Sequence, residues 1–358
     1  MHPALQTPLV DLLGSKYPIV QTGMGWVAGP RLVSATSNAG AFGIIASATM
    51  TYDELVRAIA ETKARTTAPF GVNFRADADD IKQRLELIVA EGVPVASFAQ
   101  APKKDLIEYL HDHGIKVMPS IGAKRHAEKV MEWGVDAVLV QGGEGGGHTG
   151  AVPTSLLLPE VVDVVGGRVP VVAAGGYFDG RGLVAALAYG ASGIAMGTRF
   201  LLTSDSAVPA EVKKAYLGTP VTGTLVTTKI DGAPHRVIRT DLVDQMDGAS
   251  RFTAVPKAIL NAARFRKYTG LSWYQMAKEG LSMRKRMELP WAEVIMAGNT
   301  PILTKATLVD GRLDAGILPT GQVVGVIDDL PTAAEVVDRI VAEAESTLDR
   351  LAGRAPGS

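Results

Sequence analysis

Short apolar runs rich in β-branched and small residues recur along roughly the first half of the chain. Each is followed by a segment whose apolar positions fall at helical spacing. The runs are Pro18–Met24, Phe42–Ser47, Phe70–Phe74, Val95–Ala99, Lys116–Ile121, Ala137–Gly142, Val169–Gly176 and Gly193–Thr198. Helical patterns occupy Tyr52–Arg65, Asp80–Glu91, Lys103–His113, Lys124–Trp133 and Asp179–Tyr189. Thr51 and Glu54 flank the start of the first of these as a capping box, in which each side chain satisfies the other's free backbone N–H. Runs that are apolar on both faces mark strands of a parallel sheet covered by helices. Eight such units predict an α/β fold of the closed (β/α)8 TIM-barrel type, in preference to an open doubly wound sheet.

After the eighth run the pattern changes. Ser204–Tyr216 predicts a helix, and Gly223–Ile230 with Arg236–Thr240 predicts an extended pair around Asp231-Gly232. From Asp247 to Ala297 the chain is polar, rich in Arg, Lys and Met, and helical in pattern. It carries Trp273, Tyr274 and Trp291. The expected organisation is a barrel made of residues 1–203 and 301–358. A mostly helical insertion, residues 204–300, would lie over the C-terminal face as a lid that shapes the substrate site. Thr320–Asp328 returns to an apolar run, and Pro331–Leu351 reads as an amphipathic helix that closes the barrel.

Composition narrows the function. A hydrophobic fraction of 47% against 20% charged residues belongs to a folded globular chain. Lys and Arg total 36 against 37 Asp and Glu, so no single-sign field is available for nucleic acid or an anionic membrane. The absence of cysteine excludes disulfides, thiol catalysis, zinc-thiolate sites and cysteine-bound iron–sulfur clusters. The charge-free stretches Leu32–Tyr52 and Gly182–Thr198 are broken by turn residues and do not read as membrane spans. A cytoplasmic protein is expected, with a homo-oligomeric state left open.

The glycines sit where parallel-barrel chemistry takes place, at the ends of strands. The first run ends in Gly23-Met24-Gly25 and the seventh in Gly175-Gly176; Gly197-Thr198 closes the eighth. The sixth runs into Gln141-Gly-Gly-Glu-Gly-Gly-Gly-His148. Bare backbone N–H groups at glycine can approach an anion, and the seventh and eighth strand ends are where such barrels bind phosphate. Gln141 and Asn73 end or nearly end the sixth and third strands. Their carboxamides can pair with the polar edge of a heterocycle or cap a loop. His148 is the histidine on a glycine-rich strand end, and its imidazole suits proton transfer near neutral pH. For His2, His111, His113, His126 and His235 a solvated surface position is expected, and no pair has metal-ligand spacing, so no metal is expected. Glu144 is either a second acid/base group or a loop-ordering one, and Asp179 is expected to cap a helix. The chain lacks a Gly-x-Ser-x-Gly elbow and the Lys-Ser/Thr of a P-loop, which argues against serine hydrolases and NTPases.

These residues resemble the nitronate monooxygenase family, formerly the 2-nitropropane dioxygenases. It is a family of flavin barrels that includes an FMN-dependent enoyl reductase of fatty-acid synthesis. The resemblance runs nearly end to end. It rests on Pro18–Trp26, Ser37–Ile44, Phe70-Gly-Val-Asn73, Gln141–His148, Ala173-Ala-Gly-Gly176, Asp179-Gly-Arg-Gly182, Met196-Gly-Thr-Arg-Phe200 and Gly321-Gln322. It implies FMN, with the phosphate on Gly175, Gly176, Gly197 and Thr198. Gly23, Met24 and Gly25 would line the isoalloxazine, Asn73 and Gln141 would meet its polar atoms, and Gly146 and Gly147 would also contact the cofactor. His148 matches the family's catalytic acid/base.

Two motifs depart from nitronate-oxidising members. Thr22-Gly23-Met24 stands where they have Ala-Pro-Met, and Glu-Gly-Gly-Gly-His where they favour Glu-Ala-Gly-Gly-His. Within the family the chain is more similar to an actinobacterial branch of steroid-ring catabolism, which acts on a hydroxylated methyl-oxo-indane carboxyl-CoA thioester with NAD(H) as electron partner. That similarity implies an FMN-dependent acyl-CoA oxidoreductase forming or removing a C=C bond beside a thioester carbonyl. Trp26, Arg264 and Arg284 are the candidate substrate contacts, the two arginines from a basic set that also includes Arg266, Lys267, Lys285 and Arg286. Nitronate oxidation, enoyl reduction and noncatalytic flavin binding are the alternatives.

Overall fold

The computed structural model describes residues 1–248 and 300–353. Eight parallel strands close into a barrel: β1 (Ile19–Gln21), β2 (Phe42–Ala46), β3 (Phe70–Phe74), β4 (Val95–Phe98), β5 (Lys116–Ile121), β6 (Val138–Gln141), β8 (Val171–Ala174) and β9 (Gly193–Met196). β1 pairs with both β2 and β9, which completes the ring. Each of the eight apolar runs therefore supplies one barrel strand. The short strand β7 (Gly147–His148) lies outside the barrel.

Two apolar layers hold the ring. Val20, Phe42, Ile44, Val95, Met118, Leu139, Val172 and Ala195 form one buried cluster that fills the barrel interior, and Leu9 and Leu13 of α1 (Pro8–Leu13) join it. The second layer lies between strands and helices. The helices are α2 (Pro30–Asn38), α3 (Tyr52–Arg65), α4 (Ile81–Ala90), α5 (Lys104–Asp112), α6 (Lys124–Trp133), α7 (Thr154–Val165) and α8 (Gly180–Ala188). Each fully buried Leu, Ile or Phe in these layers contributes about 1.5–3 kcal/mol relative to exposure. The capping box on α3 forms as the sequence suggests: the Glu54 amide donates to Thr51 Oγ1, and the Thr51 amide donates to Glu54 Oε2 at 2.7 Å.

Beyond β9 come α9 (Thr198–Leu201) and α10 (Ala210–Leu217). The helix expected over Ser204–Tyr216 is thus shorter than its pattern. Pro209 sits at its N-cap with a φ of −55°, and Pro enters a helix only at the start, so the preceding residues form turns. Then β10 (Thr224–Thr227) and β11 (His235–Ile238) pair antiparallel around Asp231-Gly232, followed by α11 (Asp241–Asp247). Residues 249–299, about half of the insertion expected over 204–300 and the part with the basic residues, lie outside the described residues. α12 (Thr300–Leu308) resumes the chain. Ile230, Val237, Val243 and Ile317 give this excursion a small core of its own, against which Leu303 of α12 packs. α13 (Ala333–Leu351) packs against α8 and α2, closing the helical ring. Among the described residues no helix is long and apolar enough to cross a membrane.

Candidate functional site

The site grows from the loop that follows β6. Gln141 ends that strand, and its Nε2 donates to the His148 carbonyl at 2.8 Å and, longer, to the Gly146 carbonyl at 3.4 Å. Its amide end is therefore engaged in shaping the loop. Glu144 does the same at the loop's far side. Its Oε2 accepts from the Thr154 amide at 2.9 Å and the Thr154 hydroxyl at 2.7 Å, which places a carboxylate at the positive N-terminal end of α7. Of the two roles open to Glu144 in the sequence, the geometry shows loop ordering.

Gly147 and His148 form β7, which pairs antiparallel with β11, setting His148 opposite His235. The two imidazoles lie 4.6 Å apart between centroids. His148 Nε2 is 2.7 Å from Asp231 Oδ2, and the same oxygen accepts from the Thr300 hydroxyl at 3.0 Å. Asp231 Oδ1 accepts from the Ala233 amide at 3.2 Å, a local turn contact. The Asp231 side chain is 8% exposed and that of His148 is 61% exposed. A buried carboxylate thus holds one edge of an open imidazole. With Nε2 donating to the carboxylate, a neutral His148 presents its lone pair at Nδ1.

Burial alone would push the Asp231 carboxyl up. Hydrogen bonding from His148 and the nearness of His235 outweigh it and hold the carboxyl well below the usual range. Burial pushes His235 down despite Asp231, so its ring is neutral at neutral pH. His235 is only 3% exposed, which corrects the expectation of a solvated surface histidine. It stands in register with His148 on β11. His111, His113 and His126 are exposed, as expected. Contrary to the absence of ligand spacing in the sequence, His148, Asp231 and His235 bring three potential ligand atoms within 4.8 Å of one another.

The remaining strand ends converge on this loop. Gly175 and Gly176 have φ of +95° and +86°, a region open mainly to glycine, and they lie beside Gly142, Gly145 and Glu144. A Cβ on Gly146 would overlap the backbone of Thr320 and Gly321, so the loop seats on that segment only with glycine there. Gly321 in turn donates its amide to Thr198 Oγ1 at 2.9 Å. Gly197 lies against Met24 and Thr22, and Gly23 lies against Asn73, whose Nδ2 donates to Ser97 Oγ at 3.2 Å. Gly25 abuts Thr49. Trp26 is the single non-glycine residue with positive φ among the described residues, at +66°. Its amide donates to Thr49 Oγ1, its indole N–H donates to the Pro301 carbonyl at 3.2 Å, and Lys305 Nζ lies 5.6 Å from the ring centroid. The sequence-predicted residues of the barrel thus gather at one mouth. Arg264 and Arg284 lie outside the described residues.

Asp231, His235 and Thr300 carry no site signature in the sequence. The signal available was the extended pair around Asp231-Gly232; what it lacked was the pairing of that hairpin with a two-residue strand. Arg236 completes the connection, donating from Nη2 to the Gly143 carbonyl at 2.9 Å and from Nη1 to Thr224 Oγ1 at 2.8 Å. Beside it a cavity of about 580 Å³ opens, lined by Gly143, Glu144, Pro153, Val226, Arg236 and Gln322, among others.

Comparison with known proteins fits this geometry. Residues 6–84 and 78–343 match the family model described as nitronate monooxygenase. A relative from Mycobacterium tuberculosis, named (3aS,4S,5R,7aS)-5-hydroxy-7a-methyl-1-oxo-octahydro-1H-indene-4-carboxyl-CoA dehydrogenase, is 59% identical over 345 residues, 96% of this chain and 97% of its own. A relative of the same name from Rhodococcus jostii is 56% identical, covering 97% of this chain and 98% of its own. Among solved structures, FabK from Thermotoga maritima superposes with a TM-score of 0.79 at 31% identity, over 97% of this chain and 99% of that one.

Proposed function

Because the chain belongs to the nitronate monooxygenase family, we propose that it is an FMN-dependent acyl-CoA oxidoreductase of steroid-ring catabolism. Its substrate would be a hydroxylated methyl-oxo-indane carboxyl-CoA thioester and its electron partner NAD(H). The observation that carries the reading is the His148–Asp231 pair at the barrel mouth, an open imidazole whose other edge is held by a buried carboxylate. The names of two relatives that match this chain over nearly its whole length support the substrate class.

The residues at the mouth fit FMN. The paired positive-φ glycines, Gly175 and Gly176, leave bare backbone at the strand end where parallel barrels take phosphate, and Gly176 has no backbone within contact of its missing Cβ. With Gly197 and Thr198 they would hold the phosphate. Gly23, Met24, Gly25, Asn73, Gln141, Gly146 and Gly147 would surround the rest of the cofactor. Bound FMN would supply the hydride acceptor. His148 then takes the proton from the carbon beside the thioester carbonyl at Nδ1, while Asp231 keeps Nε2 protonated and stabilises the imidazolium that results. Asp231 is accordingly a positioning residue. The cavity beside Arg236 offers room for the thioester arm, and Trp26, held in its strained conformation by Thr49 and Pro301, would border the substrate.

The test is the visible flavin band of the purified protein followed without oxygen. Bleaching on addition of the indane carboxyl-CoA thioester, with recovery of the oxidised band on adding NAD⁺, is the expected result. Bleaching by an alkyl nitronate, with the thioester inert, would overturn the reading in favour of nitronate oxidation.

A further inference from the structure

His235 poses a physical problem that proton transfer at His148 does not solve. It is 97% buried, yet neither ring nitrogen has a hydrogen-bond partner, and its Nδ1 stands 3.7 Å from Asp231 Oδ2, beyond hydrogen-bond reach. A buried imidazole left unpaired on both nitrogens is costly. Its unpaired Nδ1 faces the same carboxylate oxygen that lies 2.7 Å from His148 Nε2. Two imidazoles and a carboxylate thus aim at one small volume, with all three donor atoms within 4.8 Å of one another.

We infer that His148, Asp231 and His235 form a binding site for a borderline divalent cation of the Zn²⁺ class. Imidazole nitrogen and carboxylate oxygen are the donors such an ion takes, at about 2.0–2.2 Å, and tetrahedral donors at that range stand about 3.3–3.5 Å apart. The observed 2.7 Å and 3.7 Å separations bracket that spacing. The third pair, between the two imidazole nitrogens, lies within 4.8 Å, so occupation would draw the exposed His148 ring and the Asp231 carboxylate toward the ion. Asp231 supplies the anionic donor, and the Thr300 hydroxyl orients it as an outer hydrogen bond does in metal sites. The open side of His148 leaves a fourth position to water. Coordination through Nε2 uses the lone pair of that nitrogen, so the single proton of the neutral ring moves to Nδ1, the atom that would otherwise accept the substrate proton. Occupation therefore silences the base, a consequence that rests on the function proposed above, whereas the binding itself does not.

The experiment uses the flavin-containing protein, treated with chelator and then freed of it, titrated with ZnSO₄ in a calorimeter without substrate. One equivalent per chain is expected. His235→Ala and Asp231→Asn should each weaken binding tenfold or more, and so should His148→Ala, whose exposed side chain makes misfolding an implausible cause. Absence of saturable binding in protein with an intact flavin band overturns the inference. So does binding that survives all three substitutions, which would place the ion elsewhere, for example at the His111–Asp136 pair. Slowing of thioester-driven bleaching by Zn²⁺, reversed by chelator, tests the inhibitory half. A protein that binds the ion but ignores the thioester keeps the site and loses the dehydrogenase reading.

Discussion

Asp231→Asn is the substitution that separates positioning from chemistry at the barrel mouth. The asparagine keeps the shape, and its one oxygen can still accept from the Ala233 amide, but an uncharged NH2 then replaces the Oδ2 that lies 2.7 Å from His148 Nε2 and accepts from Thr300. A hydrogen bond to a charged group contributes about 1.5–3 kcal/mol. The aspartate side chain is only 8% exposed but that of His148 is 61% exposed, so solvent screening on the histidine side favours the lower part of that range. If the interaction is worth that much more when His148 carries the abstracted proton, flavin reduction should slow about ten- to hundredfold. The assay is anaerobic rapid mixing of the flavin-loaded variant with the thioester substrate. The loss should fall on the limiting reduction rate and leave the substrate dependence of that rate close to wild type. His148→Ala sets the scale, with flavin retained and reduction slowed by about a hundredfold or more, as for loss of a general base. A reduction rate within twofold of wild type in Asp231→Asn would refute the positioning role. A variant that had lost its flavin would show that Asp231 supports the fold of the loop instead.

Other expectations follow from packing, capping and charge. Gly146→Ala inserts a methyl group into the Thr320–Gly321 backbone, so it should cost about 1–3 kcal/mol in chemical denaturation and lower flavin content at purification. Thr332→Ala removes the hydroxyl that accepts from the Glu335 amide at 3.1 Å and half of the α13 capping box; a loss of about 1 kcal/mol, with flavin reduction unchanged, is expected. Asp329 is partly desolvated, which raises its carboxyl, but the hydrogen bonds and charges of Arg199 and Arg339 prevail and lower it below the usual value. A lowered folded-state value stabilises above the unfolded carboxyl value of about 4, and the contribution is lost as pH falls through the folded one. Asp329→Asn should therefore be less stable than wild type at neutral pH, with the gap closing below about pH 4. An equal gap at both pH values would refute the assignment.

The barrel was legible because a strand buried on both faces leaves a continuous apolar run, and eight of these stand in order from Pro18 to Thr198. The mouth was legible for a different reason, since glycines concentrated at strand ends have few structural uses. His148 could be picked out by its place at the end of the glycine loop. His235 could not, because Ala233-Pro234-His235-Arg236 carries no periodicity that says which way its side chains point. Its burial is decided by β7, a strand of two residues with no sequence signature, and by a partner 87 positions away in the chain. Asp231 was visible as a turn residue, and turn aspartates ordinarily satisfy their own backbone, as this one also does through Ala233. The apolar pattern from Ser204 overstates the helix because Pro209 confines its start to Ala210.

The pairing of β7 with β11 makes His148 a barrel residue by sequence and an excursion residue by hydrogen bonding. Ring closure from β1 to β9 needs nothing beyond Met196, whereas the histidine is oriented only after a chain excursion of 83 residues has returned to it. The closing contact of the ring itself spans the 175 residues from Ile19 to Ile194, and it uses none of the residues that orient the histidine. In evolutionary terms the aim of His148 can then change separately from ring closure: a hairpin with another residue at position 231 would re-orient the imidazole and leave the β1–β9 pairing in place.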